Sequence, residues 1–140
     1  MAIHAAPIGR LRSRRKEDRI GDFTKLAVWQ RARELAVAVH RATSGWPSEE
    51  IFGLVAQTRR AAYSVAANIA EGCGRNGDAE LARFVRIAMG SAAELSCLLI
   101  LALDVGYLSQ AVHDQLQQQV GEVRRMLSSL ERRVRTLQSR

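Results

Sequence analysis

The last quarter of the chain places Val112, Leu116, Val120, Val123, Leu127, Leu130, Val134 and Leu137 at successive steps of 4, 4, 3, 4, 3, 4 and 3. Only an α-helix brings residues so spaced onto one face, and the spacing is close to a heptad seam. Three earlier segments repeat the pattern. Leu26, Trp29, Ala32, Leu35, Ala36 and Val39 predict a helix over about 25–42. Ile51, Leu54, Val55, Ala62, Val65, Ala66 and Ile69 predict a second, to about Glu71. Leu81, Phe84, Ala88, Ala92, Leu95, Leu98, Leu99 and Ala102 predict a third over 78–104. No apolar/polar alternation argues for a strand. One-sided helices must bury their stripes against each other, so the expected fold is all-α, an antiparallel up-down four-helix bundle.

Breakers and caps divide the helices. Gly45 and Pro47 end the first, and Ser48 is the expected N-cap of the second. The run Gly72–Gly77 is expected to cap the second helix, with Asp78 opening the third. Gly106 interrupts again, and Ser109 is the expected cap of the fourth, which at about 29 residues would extend roughly 43 Å. Residues 1–22 lack this periodicity and read as a mobile basic arm, leaving 23–140 as the bundle. At 140 residues, one domain with its own core is expected.

The net charge of +7 is unevenly placed. Residues 1–22 carry six basic and three acidic residues, residues 121–140 six and two, and the stretch between is balanced. Such a distribution favours polyanions, chiefly RNA or DNA. The contact residues expected on the fourth helix are Arg124, Arg125, Arg132, Arg133 and Arg135. These five do not share one clean face, and stacking aromatics are scarce, so binding would be electrostatic with little base readout. No run of about 18 apolar residues and no apolar leader is read, so neither a membrane nor export is expected, and the cytoplasm is the expected location.

Chemistry-bearing motifs are few. Gly72-x-Gly74-x-x-Gly77 matches a dinucleotide fingerprint in letters, but a helix precedes it where that motif needs a strand. A weaker reading puts a phosphate at Arg75 and the start of the third helix. His4, His40 and His113 have no ligand spacing, Cys73 and Cys97 form no framework, and neither metal nor cofactor is expected. Gln57, Arg60, Ser64, Asn68 and Glu71 form a polar stripe on the second helix. With a turn centred near residue 75, Arg60 would face Gly90 and Ser91, Gln57 would face Glu94, and Asn68 would face Arg83. A partly buried network of Gln57, Arg60, Ser64, Asn68, Glu71, Ser91 and Glu94 is the structural reading. A catalytic cleft using Arg60, Asn68, Glu71 and Glu94 is the other. No general base with a tuning partner emerges, so the structural reading is preferred and no enzyme is expected.

The strings Leu26-Ala27-Val28-Trp29-Gln30, Gln57-Thr58-Arg59-Arg60-Ala61-Ala62, Asn68-Ile69-Ala70-Glu71-Gly72 and Ile87-Ala88-Met89-Gly90-Ser91, with Arg83-Phe84 and Glu94-Leu95, carry a resemblance. Over about 23–130 the chain resembles the four-helix-bundle family named after proteins encoded in intervening sequences of bacterial 23S ribosomal RNA genes. It departs from the family at Ala66, where many members carry Pro. The resemblance implies a ring-shaped homopentamer and no catalytic residues. A related group, the accessory variability determinants of diversity-generating retroelements, implies reverse transcriptase and nucleic acid as partners. The expected function is therefore a non-enzymatic homo-oligomeric bundle that binds nucleic acid through phosphates. The alternative is a protein-interaction adaptor, for example for a reverse transcriptase, without direct nucleic-acid binding.

Overall fold

A computed structural model of the chain describes residues 21–139. It contains α1 (Ala27–Thr43), α2 (Leu54–Gly74), α3 (Asp78–Asp104) and α4 (Gln110–Gln138), with short 3-10 turns at Phe23–Lys25 and Ser48–Glu50. No strand occurs among the described residues. The arm expected over 1–22 lies outside them up to residue 20. Asp22 already belongs to the folded part, because its carboxylate accepts the Thr24 N–H and caps the first 3-10 turn.

Two of the expected boundaries move, each for a local reason. Ser48 does not cap α2. The chain makes a 3-10 turn there, and the Glu50 carboxylate accepts the Leu54 N–H at 3.1 Å, capping a helix that starts five residues later than a Ser48 cap implies. Glu50 also accepts the Tyr107 hydroxyl, tying this corner to the α3–α4 turn. The second shift concerns Gly72, which is not a cap: α2 continues through it to Gly74. Gly72 is buried, and a Cβ there would sit 2.9 Å from the Phe84 Cβ and 3.1 Å from a Leu81 methyl. Its role is close approach of α2 and α3 rather than chain reversal. The reversal belongs to Gly77, with φ +99°, which also replaces Asp78 at the cap position of α3. Ser109 caps α4 as its sequence implies, accepting the Val112 N–H.

The helices pack in a closed cycle, α1 on α2, α2 on α3, α3 on α4 and α4 on α1. Neighbouring helices run in opposite directions. Thr43 meets Arg59 and His40 meets Tyr63, Ser64 meets Ser91, and Gly72 meets Leu81 and Phe84. Between α1 and α4, Arg31 meets Glu122 while Leu26 and Val28 lie beside Leu130. The core runs the length of the bundle, with Leu35, Val39, Val65, Ile69, Val85, Leu95, Leu99, Val123, Leu127 and Val134 essentially inaccessible. α3 is apolar and long enough to meet the length and hydropathy of a membrane span, and 44% of that stretch is buried inside the bundle. Its apolarity follows from packing against both α2 and α4, though Ile87, Ile100 and Leu101 remain on its outer side.

Candidate nucleic-acid interface

Alternating direction decides where charge gathers. The start of α1, the α2–α3 turn and the end of α4 share one end of the bundle, while the α1–α2 and α3–α4 connections share the other. The first end (residues 22–30, 68–86 and 124–139) carries nine basic and five acidic residues. The remainder of the bundle (31–67 and 87–123) carries five basic and seven acidic residues. The middle of the chain is balanced in sequence yet divided in space, and Arg75, Arg83 and Arg86 join the α4 arginines at the same end. Position in sequence hides this, because the charges come from three separate helix ends.

Not all of these cations are available. Arg75 pairs with Glu71 at 2.9 Å, and that carboxylate holds the guanidinium even more firmly protonated. Arg83 pairs with Glu80 at 3.3 Å. Both also lie over the buried Phe84 ring, at 5.4 and 4.5 Å, as cation–π contacts. Asp78 and Glu80 fill the first turn of α3, which disfavours the phosphate expected at Arg75 and that helix start.

The five expected α4 contacts divide as well. Arg135 is partly neutralised within the same molecule by Glu131 at 3.0 Å. Arg132 bonds to the Ser129 hydroxyl. Arg124, Arg125, Arg132 and Arg133 have no carboxylate within 4 Å among the described residues, and neither do Lys25 and Arg86. Arg125 and Arg132, seven residues apart, fall on one line of the helix, whereas Arg124 and Arg133 point about 100° to either side of it. Arg125 and Arg133 flank a groove of about 370 Å³ between α1 and α4, lined by Leu26, Ala27, Val28, Met126 and Leu130.

The polar stripe of α2 assembles only in part. Ser64 and Ser91 share a hydrogen bond at 2.8 Å, and the Asn68 amide donates to the Ser64 hydroxyl and carbonyl. Ser91 therefore faces Ser64 rather than Arg60. The register is about one helical turn off the expected one because the reversal centres on Gly77 and not on residue 75. Glu71 turns to Arg75, while Gln57, Arg60 and Glu94 are exposed and make no side-chain hydrogen bond among the described residues. The grouping of Arg60, Asn68, Glu71 and Glu94 needed for a cleft is thus not formed. A second polar join, missed in the sequence, links α3 to α4: Gln117 accepts the Ser96 hydroxyl, donates to the Ser96 carbonyl, and contacts His113. Burial pushes the Cys73 thiol up to about 11, which makes it a poor nucleophile at neutral pH. Among the described residues no three His, Cys, Asp or Glu side chains gather as a metal site.

Comparison with known families matches residues 24–129 to the 23S rRNA-intervening sequence protein family. A crystal structure of a protein of unknown function from the S23 ribosomal protein family of Bacteroides thetaiotaomicron superimposes with a TM-score of 0.70. It is 23% identical and covers 75% of this chain and 95% of its own, a likeness that establishes the fold. No curated protein matches the chain.

Proposed function

The chain belongs to the 23S rRNA-intervening sequence protein family, and from that premise we propose that it is a non-enzymatic, cytoplasmic, self-assembling bundle that binds RNA or DNA through phosphates at its basic end. The observation that carries this reading is the segregation of charge along the bundle axis. Lys25, Arg86, Arg124, Arg125, Arg132 and Arg133 converge there without carboxylate partners among the described residues. Residues 1–20, with six basic residues against two acidic, attach at the same end. Neutralising phosphates releases condensed counterions, so affinity is salt-dependent and largely indifferent to sequence. Self-assembly, with a pentamer as the expected state, is supported by apolar side chains left at the surface, among them Ile51, Phe52, Ile100 and Leu101.

The experiment is the affinity for single-stranded RNA and duplex DNA, by fluorescence anisotropy, between about 50 and 200 mM salt. Engagement of four to six phosphates gives a log K against log salt slope of about −3.6 to −5.4 on duplex DNA and about −2.8 to −4.2 on single-stranded RNA. Changing Arg124, Arg132 and Arg133 together to Gln lowers that slope in magnitude by up to about 3. A flat dependence, or no binding at the lowest salt, overturns the reading. The adaptor reading, with a reverse transcriptase or another protein as partner, is favoured by the exposed apolar side of α3. It predicts partner capture that persists at high salt, with no nucleic-acid affinity.

A further inference from the structure

Two features at opposite ends of the molecule are chemically complementary. At the end formed by the α1–α2 connection, Ile51 is 54% and Phe52 94% exposed. Glu49, two residues before Ile51, is exposed and has no cationic partner within 4 Å among the described residues. The corner is not loose: Glu50 fixes it through the Leu54 N–H and the Tyr107 hydroxyl, and Trp46 packs on Tyr107 behind it. An aromatic ring is thus held out in water by a built turn. At the other end, the groove between α1 and α4 has an apolar floor of Leu26, Val28, Met126 and Leu130, and Arg125 and Arg133 at its rim.

We infer that the Glu49–Phe52 corner of one copy docks into the Arg125–Arg133 groove of a second copy, with the Phe52 ring on the apolar floor and the Glu49 carboxylate at the arginine rim. The groove, at about 370 Å³, is roomy enough for the Phe52 and Ile51 side chains. Charge sign selects this occupant over the chain's own first 20 residues, whose six basic residues the two rim arginines would repel. Because the two surfaces differ, the contact is head-to-tail. Repeated, it closes a ring or extends a filament according to the rotation between copies. Neither Arg124 nor Arg132 lines the groove, so both stay free for a polyanion. The inference deepens the self-assembly part of the proposed function and rests on it.

The test is light scattering on the full chain and on two variants, Phe52→Asp at the exposed corner and Met126→Asp on the half-buried floor of the groove, each checked for helicity and melting. Each variant is expected to lose mass relative to wild type at equal concentration. Mixing the two is expected to restore one contact per pair, since Phe52→Asp keeps an intact groove and Met126→Asp an intact knob. The mixture then shows a complex heavier than either variant alone. Folded variants that both keep the wild-type mass overturn this contact and leave self-assembly standing. Loss in Phe52→Asp alone, with Met126→Asp unchanged or no complex on mixing, overturns it too and assigns the groove to another occupant. A wild-type chain that is monomeric at every concentration overturns both this inference and the self-assembly it rests on.

Discussion

Thr58 shows how a single atom can run against the fold. Its side chain is fully buried on α2, and its hydroxyl has no hydrogen-bond partner among the described residues. An unpaired buried hydroxyl costs about 1–3 kcal/mol of desolvation, so Thr58→Val, nearly equal in shape, is expected to raise stability by about 1 kcal/mol in thermal or urea unfolding. The two cysteines make a second contrast. Cys97 is exposed on α3, whereas Cys73 is buried. A thiol reagent at pH 8 is expected to modify one equivalent quickly and the second only on unfolding; two fast equivalents would contradict the burial. Burial raises the Cys73 thiol from its ordinary 9.0 to about 11. The unfolded chain therefore releases this proton first, and the stabilisation present below pH 9 is lost as pH climbs toward 11. Cys73→Ala is expected to flatten that alkaline decline. The burial of Cys73 is legible in neither its neighbours nor the Gly72-x-Gly74 spacing, because both read as turn. It follows from α2 running one turn further than its glycines imply.

At the scale of the helix, α2 and α3 depend on one close approach. Gly72→Ala brings a Cβ to 2.9 Å from the Phe84 Cβ, which is fixed to the backbone of α3 and cannot rotate away. Overpacking at such a site costs typically 1–3 kcal/mol, well above the gain of about 1 kcal/mol from replacing a helical glycine by alanine. A lower melting temperature is the expected result, and a rise would show that the helices can separate. Gly74→Ala has open space and is the matched control, since beyond its chain neighbours and its own helix backbone no atom of the described residues lies within 4 Å of its Cβ. The helices themselves were legible, and α3 matches its expected bounds to the residue. Their relative register was not. Side-chain spacing fixes which face of a helix is buried and says nothing of its height against a neighbour, which Gly77 decides by where the chain turns.

For the whole molecule, the governing feature is its electrical axis. The basic first 20 residues continue the charge of the basic end, so deleting them is expected to weaken RNA binding and reduce the salt slope while leaving the melting temperature of the bundle unchanged. An equal affinity after deletion would place the whole interface on the helices. The basic termini, with Arg124, Arg125, Arg132 and Arg133 among them, are legible along the chain. Arg86 and Lys25 become their neighbours only in the folded bundle, where Arg135 is partly neutralised by Glu131. Periodicity alone determined that this protein is four one-sided helices, because burial of an apolar stripe is a local demand written every three or four residues. Only the tertiary structure decided that their ends sort by charge, that Gly72 serves contact and Gly77 reversal, and that an exposed phenylalanine and an arginine-rimmed groove lie at opposite poles. Those facts depend on which helix ends become neighbours, and that is set by turns and packing between residues far apart in the chain.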